Sequence, residues 1–476
     1  MAVRPSRLTN PVAMILAAVM FASCASPPPQ PIDPVASDSE FRSRTLADPG
    51  LRRYLDTLGP YPTASWDLPA LTRVAFYFHP ELDIARARLS QAQAGIVTAG
   101  ARPNPSVSLS PGYSINPGKG VRPWILGFGF DIPLETAGRR GYRIEQAERL
   151  ADAACAELAQ TAWEVRSRLR AALLDHLVAL RELELARTED AARVDATSLL
   201  ERKRAAGDVS RSDVEAARVD VAAGRLAVSS AEGRVADTRV ALAAAMGVPP
   251  GALDAISFTW TDLDHPPSEA ALSLAQIQTA GLLNRIDVRK TLADYGAAEA
   301  ALQLEVARQY PDVNLGPGYE WDQGQHKFSL ALSFTLPVFN QNEGPIAEAV
   351  ARRREVAARF LALQARVISA TEQARVRYHA ALAELANADD YITRQATYER
   401  VVSRSVTLGE EDPLALTETR IKRVAADRAR LDALHKAQAA LGAMEDAVQR
   451  PLSPVHEIPP LPADDGRTDA QKEGDR

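Results

Sequence analysis

Seven histidines, His79, His176, His265, His326, His379, His435 and His456, are the residues most able to hold a metal or move a proton, yet none of them falls in an HxxxH spacing. The two cysteines, Cys24 and Cys155, stand far apart and only five methionines occur, so no metal site is legible. GxSxG, a phosphate-binding loop and a GxGxxG at a strand-to-helix turn are all absent, and the GFGF at Gly127 falls inside a strand pattern. No catalytic residue and no cofactor is implied. What the chain does offer is a charged turn that occurs twice: AAGDVSRSDVEAAR around Gly207 and TLGEEDPLALTETR around Gly409, 202 residues apart. Lone acids on helices are ordinarily solvated, so their use depends on the elements that gather them.

Those elements repeat as well. PSVSLSPGY begins at Pro105 and PDVNLGPGY at Pro311, identical at six of nine positions, and an internal duplication is expected. In the first, Val107, Leu109 and Tyr113 alternate with Ser106, Ser108, Ser110 and Gly112, the period of a strand. WILGFGFDIPL then sets Leu126, Phe128, Phe130 and Ile132 against Gly127, Gly129 and Asp131, which makes a hairpin. In the second copy Val313, Leu315, Tyr319 and Trp321 alternate with Asn314, Gly316, Gly318 and Glu320. Phe328, Leu330, Leu332, Phe334 and Leu336 do the same against Ser329, Ala331, Ser333 and Thr335.

A helical pattern surrounds each hairpin. His79 to Ala101 precedes the first and is stopped by RPNP. Tyr142 to Ala206 follows it, 65 residues without proline, with Leu158, Val165, Leu169, Leu173, Leu177 and Leu180 on one seam. Such a helix is about 98 Å long. Gly207 breaks it, and Asp208 to Met246 runs back until Gly247, Pro249 and Pro250. The second copy has Arg285 to Arg308, Gly344 to Leu408, a break at Gly409 and Pro413, and a resumption to Val448. The two shorter segments of a copy together nearly match its long one, so they can stack end to end beside it.

Net charge is −6 with both signs interspersed, which leaves no basic stripe for nucleic acid. Arg4 and Arg7 precede PVAMILAAVMFA, a secretory signal too short to span a bilayer, which needs about 20 apolar residues. FASC resembles a lipobox, in which Cys24 is acylated, and Ala25 after it implies the outer membrane by the same resemblance. Cys155 lies in an Ala-rich helical pattern and reads as a small packed residue. Ser26 to about Pro60 reads as an extended tether and the segment from Pro451 as disordered. The expected organisation is a signal peptide (1–23), a lipidated tether (24–66), a first repeat (67–250), a linker (251–283), a second repeat (284–450) and a disordered tail (451–476).

A hairpin with Leu and Phe on one face and Ser, Gly and Ala on the other suits lipid outside and a crowded lumen inside; a soluble sandwich shows the same alternation. Lipid accepts strands only in a closed barrel. Four strands cannot close one; two chains would supply 8, whose interior is filled by side chains, and three would supply 12, enough for an open channel. A helix of about 98 Å outreaches a bilayer of about 40–45 Å and must project into water.

From about Leu68 to Gln449 the chain resembles the TolC family of outer-membrane efflux channels. FDIPLETAGRRGYRIEQAE (Phe130 to Glu148) and FTLPVFNQNEGPIAEA (Phe334 to Ala349), where each hairpin turns into a long helix, most resemble its cobalt-zinc-cadmium branch. The resemblance implies a mixed α+β, mainly α fold: antiparallel coiled-coil helices forming a periplasmic tunnel below a 12-stranded trimeric barrel. It also implies an exit duct for heavy-metal cations, working as a homotrimer in outer-membrane lipid with a periplasmic adaptor and an inner-membrane transporter of the resistance-nodulation-division type. The two turns, Gly207, Asp208, Val209 and Ser210 with Gly409, Glu410, Glu411 and Asp412, would be the tips that meet the adaptor. Asp213 and Glu418 match positions where the family carries gate carboxylates, and Arg218 and Arg420 would stand beside them; Ala415 occupies another such position without an acid. Drug or type I protein export remains open within the family, and a secreted coiled-coil structural or adaptor protein outside it.

Overall fold

The computed structural model describes residues 29–59, 65–254, 256–269, 272, 285–452 and 459–462. The expected signal peptide, Cys24, most of the linker's second half and most of the tail lie outside these residues. The chain divides into two units, at residues 1–44 and 45–476. In the first, Asp33 caps helix α1 (Pro34–Ser43), whose residues are nearly all exposed. Everything below concerns the second.

Helix α2 (Pro49–Thr57) starts at the cap Asp48 and buries Leu51 and Leu55 completely. The tether is therefore not extended throughout. Asp33 and Asp48 each precede a proline at the first helical position, where a missing N–H costs no hydrogen bond and φ is already set. Strand β1 (Ser65–Trp66) leads into helices α3 (Leu68–Phe78) and α4 (Pro80–Gly100), with His79 as the hinge between them. Strands β2 (Ser106–Tyr113) and β3 (Trp124–Leu134) follow, then the 68-residue helix α5 (Arg139–Ala206) and its return α6 (Arg211–Met246). Strand β4 (Ser257–Phe258) pairs in parallel with β1. The order then recurs as α7 (Ile286–Ala307), β5 (Val313–Asp322), β6 (Gln325–Phe334), the 66-residue α8 (Glu343–Leu408) and α9 (Pro413–Val448).

The strands form one antiparallel sheet in the order β2-β3-β5-β6. Its register sets Leu109 opposite Phe128, Phe128 opposite Tyr319, and Tyr319 opposite Phe328; Ser108, Gly129, Gly318 and Ser329 form the adjacent row on the other face. One face is thus a continuous apolar field across all four strands. It is not covered: Leu109 is 77% exposed, Phe328 83% and Leu330 71%. Within the chain β2 and β6 each have one unpaired edge.

The helices pack as a layer. Helix α5 contacts α4 and α6 on one side and α7 and α9 on the other, and α8 in turn contacts α7 and α9. Two short helices therefore do lie along each long one. The main core gathers Leu71, Phe76, Val165, Leu169, Leu173 and Met246 where α3, α5 and α6 meet. Part of the segment expected as disordered is tied to it: Tyr54 of α2 donates to the Pro460 carbonyl at 2.9 Å, and Leu461 packs against this core. Cys155, expected to be packed, is exposed on α5. Among the described residues no helix is long and apolar enough to cross a membrane.

Three arginines at the start of α5 hold the ends of its neighbouring helices. Arg139 pairs with Asp312, just before β5, at 2.7 Å and donates to the Ala307 carbonyl at 3.4 Å. Arg140 reaches the Gly100 carbonyl at 2.6 Å and Arg143 the Ala99 carbonyl at 3.3 Å. These are helix-end carbonyls that lack an intrahelical partner, so the GRRGYR of the sequence supplies C-terminal caps to both α4 and α7.

Candidate functional site

Both turns are built by the same local rule. At the end of α5, Gly207 adopts φ 90°, its N–H reaches the Arg204 carbonyl at 3.0 Å, and the Asp208 N–H reaches Lys203 at 2.9 Å. At the end of α8, Gly409 adopts φ 75°, its N–H reaches Val406 at 3.1 Å, and the Glu410 N–H reaches Ser405 at 2.9 Å. A left-handed residue is needed to close each helix in this way, which glycine supplies without a Cβ clash. Three residues later a new helix is capped. Ser210 accepts from the Asp213 N–H at 3.2 Å, while Asp213 Oδ2 accepts from the Ser210 N–H at 2.9 Å and its hydroxyl at 2.7 Å. Asp412 accepts from the Leu414 N–H at 2.9 Å, with Pro413 in the first helical position.

An ion pair between Lys203 and Asp412 joins the two turns, so the structure brings both to one end of the helical layer. Gly207, Asp208, Ser210, Gly409, Glu410 and Glu411 are exposed there, and Val209 and Asp412 are half-buried. The four charged residues singled out beside the turns are not gathered in one cluster of this chain. Arg218 pairs with Glu201 at 2.8 Å and Glu215 at 3.1 Å, and Arg420 approaches Glu399 at 3.9 Å. Glu418 is exposed on α9. Asp213 is committed to its helix start: the hydroxyl and N–H of Ser210 hold its carboxyl below the usual range.

Sequence reasoning missed a second constellation, halfway along the layer, where charge is buried. Arg166 and Glu445, 2% and 1% exposed, pair at 3.2 Å between α5 and α9. Arg170 approaches the same carboxylate at 3.5 Å, donates to the Gln438 carbonyl at 3.0 Å and lies over the Trp260 ring. Burial pushes the Arg170 guanidinium down from its ordinary value. Next to it, Trp163 Nε1 donates to Asp446 at 3.0 Å, and Arg285 pairs with Asp287 at 2.6 Å while capping the Ala447 carbonyl. The available signal was Arg166 and Arg170 flanking Val165 and Leu169 on the apolar seam, where a solvated arginine has no room. The arrangement ties the first half of the chain to the second.

Residues 76–248 match the family described as outer membrane efflux protein. The cobalt-zinc-cadmium resistance protein CzcC of Cupriavidus metallidurans is 27% identical over 283 residues, 59% of this chain. The match spans 65% of that relative's length. The outer membrane protein VceC of Vibrio cholerae superposes with a TM-score of 0.66 at 20% identity, over 83% of this chain and 100% of its own. The CmeC outer membrane channel of Campylobacter jejuni does so with a TM-score of 0.64 at 14% identity, over 85% and 89%. These two likenesses concern the fold.

Proposed function

We propose, on the match of residues 76–248 to the outer membrane efflux protein family and the likeness to CzcC, that this chain is a TolC-family protein of the cobalt-zinc-cadmium branch and the outer-membrane exit duct of a tripartite efflux system for heavy-metal cations. The observation that carries this is the sheet: a continuous apolar face, open to the surroundings, on strands that run directly into helices of 68 and 66 residues. A soluble coiled-coil scaffold would have to leave that face in water. A lipid-facing barrel wall covers it, and its other face of Ser, Gly and Ala then lines a wet lumen.

In this reading three copies close a 12-stranded barrel through the free edges of β2 and β6, and the helices, each about 100 Å long, continue it as a tunnel. The joined turns at the far end meet a periplasmic adaptor, through which an inner-membrane transporter of the resistance-nodulation-division type supplies energy. Cys24 carries the lipid anchor, and the internal duplication supplies both hairpins. The duct performs no reaction. Cobalt, zinc and cadmium are favoured as cargo because the relative named for resistance to those metals matches over more than half of the chain.

Deleting the gene and measuring growth tests the cargo. Sensitivity to divalent cobalt, zinc or cadmium should rise with no change for hydrophobic drugs; the opposite pattern makes it a drug duct. Mass spectrometry of the mature N-terminus tests the anchor, and an unmodified Cys24 would exclude it.

A further inference from the structure

Where the start of α4, the middle of α5, the start of α7 and the end of α9 meet, a cavity of about 570 Å³ opens, within the range of small-molecule sites. Its charged lining is Glu81, Glu164, Asp287 and Asp446 against Arg168 and Arg285. Both cations are already engaged. Arg168 holds Glu81 at 2.8 Å. Arg285 holds Asp287 at 2.6 and 2.9 Å while also donating to the Asp446 carbonyl at 3.3 Å and to the Ala447 carbonyl. Among the described residues the carboxylates of Glu164 and Asp446 have neutral donors only. Glu164 accepts from the Gln160 amide at 2.8 Å, and Asp446 from Trp163 Nε1 at 3.0 Å and the Ser167 hydroxyl at 2.6 and 2.7 Å. Two negative charges remain uncompensated beside the cavity.

The architecture does not demand either charge. The last turn of α9 carries Glu445 and Asp446 and no base, although the C-terminal end of a helix repels negative charge. Glu445 is neutralised by Arg166, whereas Asp446 is not. Shifted by the 202 residues that separate the two turns, Glu164 of α5 corresponds to Arg366 of α8, and Asp446 of α9 to Ala244 of α6. The other half of the chain therefore has a cation and no acid at these positions. None of the lining comes from α6 or α8, so a copy joined at those borders does not fill the cavity.

We propose that this cavity binds a small organic dication of the alkyl diamine class, one ammonium at Glu164 and the other at Asp446; this goes beyond the efflux-duct reading and does not rest on it. An ammonium only donates, and each carboxylate keeps lone-pair sites that its neutral donors do not use. It also needs no fixed coordination sphere. A metal ion does, and among the described residues no group of three or more His, Cys, Asp or Glu could hold one. An anion would meet the uncompensated carboxylates. Bound there, the dication joins α5 to the last turn of α9 and supplies the positive charge that this helix end lacks.

The test is thermal melting of the full chain in detergent at low salt, with 1,4-diaminobutane as probe beside the uncharged 1,4-butanediol. The diamine alone should raise the melting temperature in a saturable way, as a ligand of the folded state does, and should do so less as salt is raised. E164Q/D446N, whose amide oxygens can still accept from Gln160, Trp163 and Ser167, should weaken binding about tenfold or more, the loss of two exposed charge pairs. E164K, which places an ammonium of the chain's own in the cavity, should blunt the response to the diamine in the same direction. E355Q/D390N, which removes two exposed carboxylates of α8 outside the cavity, should leave the response unchanged. An equal response to the diol, a full response retained by both E164Q/D446N and E164K, or an equal loss in E355Q/D390N overturns the proposal. So does displacement of the diamine by zinc at equal concentration, which would make the cavity a metal site. Should E164Q/D446N melt too low to be read, E164Q alone, on an exposed side chain bonded only to Gln160, decides in its place. Conductance in planar bilayers is read in parallel: a lost diamine response with conductance intact removes this inference alone, and a chain that binds the diamine without conducting removes only the duct reading.

Discussion

Gly442 has no side chain because Arg170 uses the space: a Cβ there would stand 2.2 Å from Nη1. The guanidinium is 4% exposed and carries a charge toward Glu445, so it cannot simply swing into water. Gly442→Ala should lower the stability of the detergent-solubilised chain by about 1–3 kcal/mol, the usual cost of overpacking. Gly442→Ala combined with Arg170→Met should lose less than the two single changes summed, read from melting temperatures, because both act on one contact. Additive losses would show that the arginine adapts. At this scale the sequence was informative where local rules operate. Gly207 and Gly409 already mark helix ends in the sequence, whereas reading Asp213 as a gate passes over its reciprocal cap with Ser210, three positions earlier. It was silent on Arg166 and Arg170, because a helical seam read from its apolar members does not reveal a charge neutralised by a residue some 280 positions away.

Asp264 shows how an element is held by charge. It accepts from Arg181 at 2.6 and 2.8 Å, joining the segment after β4 to the middle of α5, and that guanidinium holds its carboxyl below the usual range. A carboxylate whose folded pKa is depressed contributes stability that is fully present above its unfolded value, about 3.9, and lost as pH falls through the folded value. Thermal melting should therefore fall as the medium is acidified below about pH 4, and Asp264→Asn should lower the melting point at neutral pH while flattening this acid limb. An unchanged limb would assign the acid sensitivity to other carboxylates. The sheet is tested in the same manner. Leu332, 63% exposed on the apolar face, and Ser333, on the opposite face, are sequence neighbours. Leu332→Arg should cost on the order of 2–4 kcal/mol in the assembled barrel if it lies near the bilayer midplane, and Ser333→Arg far less. Equal assembly yields would reject a lipid-facing wall. Periodicity made these strands and long helices legible to within a few residues. It failed at α1 and α2, since prolines that open a helix are the same letters that end one, and at Leu461, whose packing depends on a contact with the other end of the chain.

The whole molecule is unfinished on two levels at once. Its sheet ends in unpaired edges at β2 and β6, and its helical layer ends in α4 and α6 on one side and α8 on the other. Both helical borders carry apolar residues at coiled-coil spacing with nothing against them: Val219, Leu226 and Val240 on α6, at 68%, 72% and 52% exposure, and Leu361 and Ile368 on α8, at 62% and 56%. Seven-residue steps are the mark of a seam that expects another helix. Under the proposed trimer both borders meet another copy edge to edge; the strand alternation already called for more chains than one, whereas the helical seams at α6 and α8 could not be seen from the stripe of one helix. Leu226→Lys and Ile368→Lys should leave the helix content of the single chain intact, because neither side chain enters its core, yet should dissolve the assembly. Light scattering in detergent is expected to give three times the mass of the mature chain for the parent and a smaller mass for the variants, with circular dichroism unchanged. A parent that scatters as a single chain, or variants that keep the parent's mass, would mean that these borders are not where the copies join, and the tunnel would need a different wall.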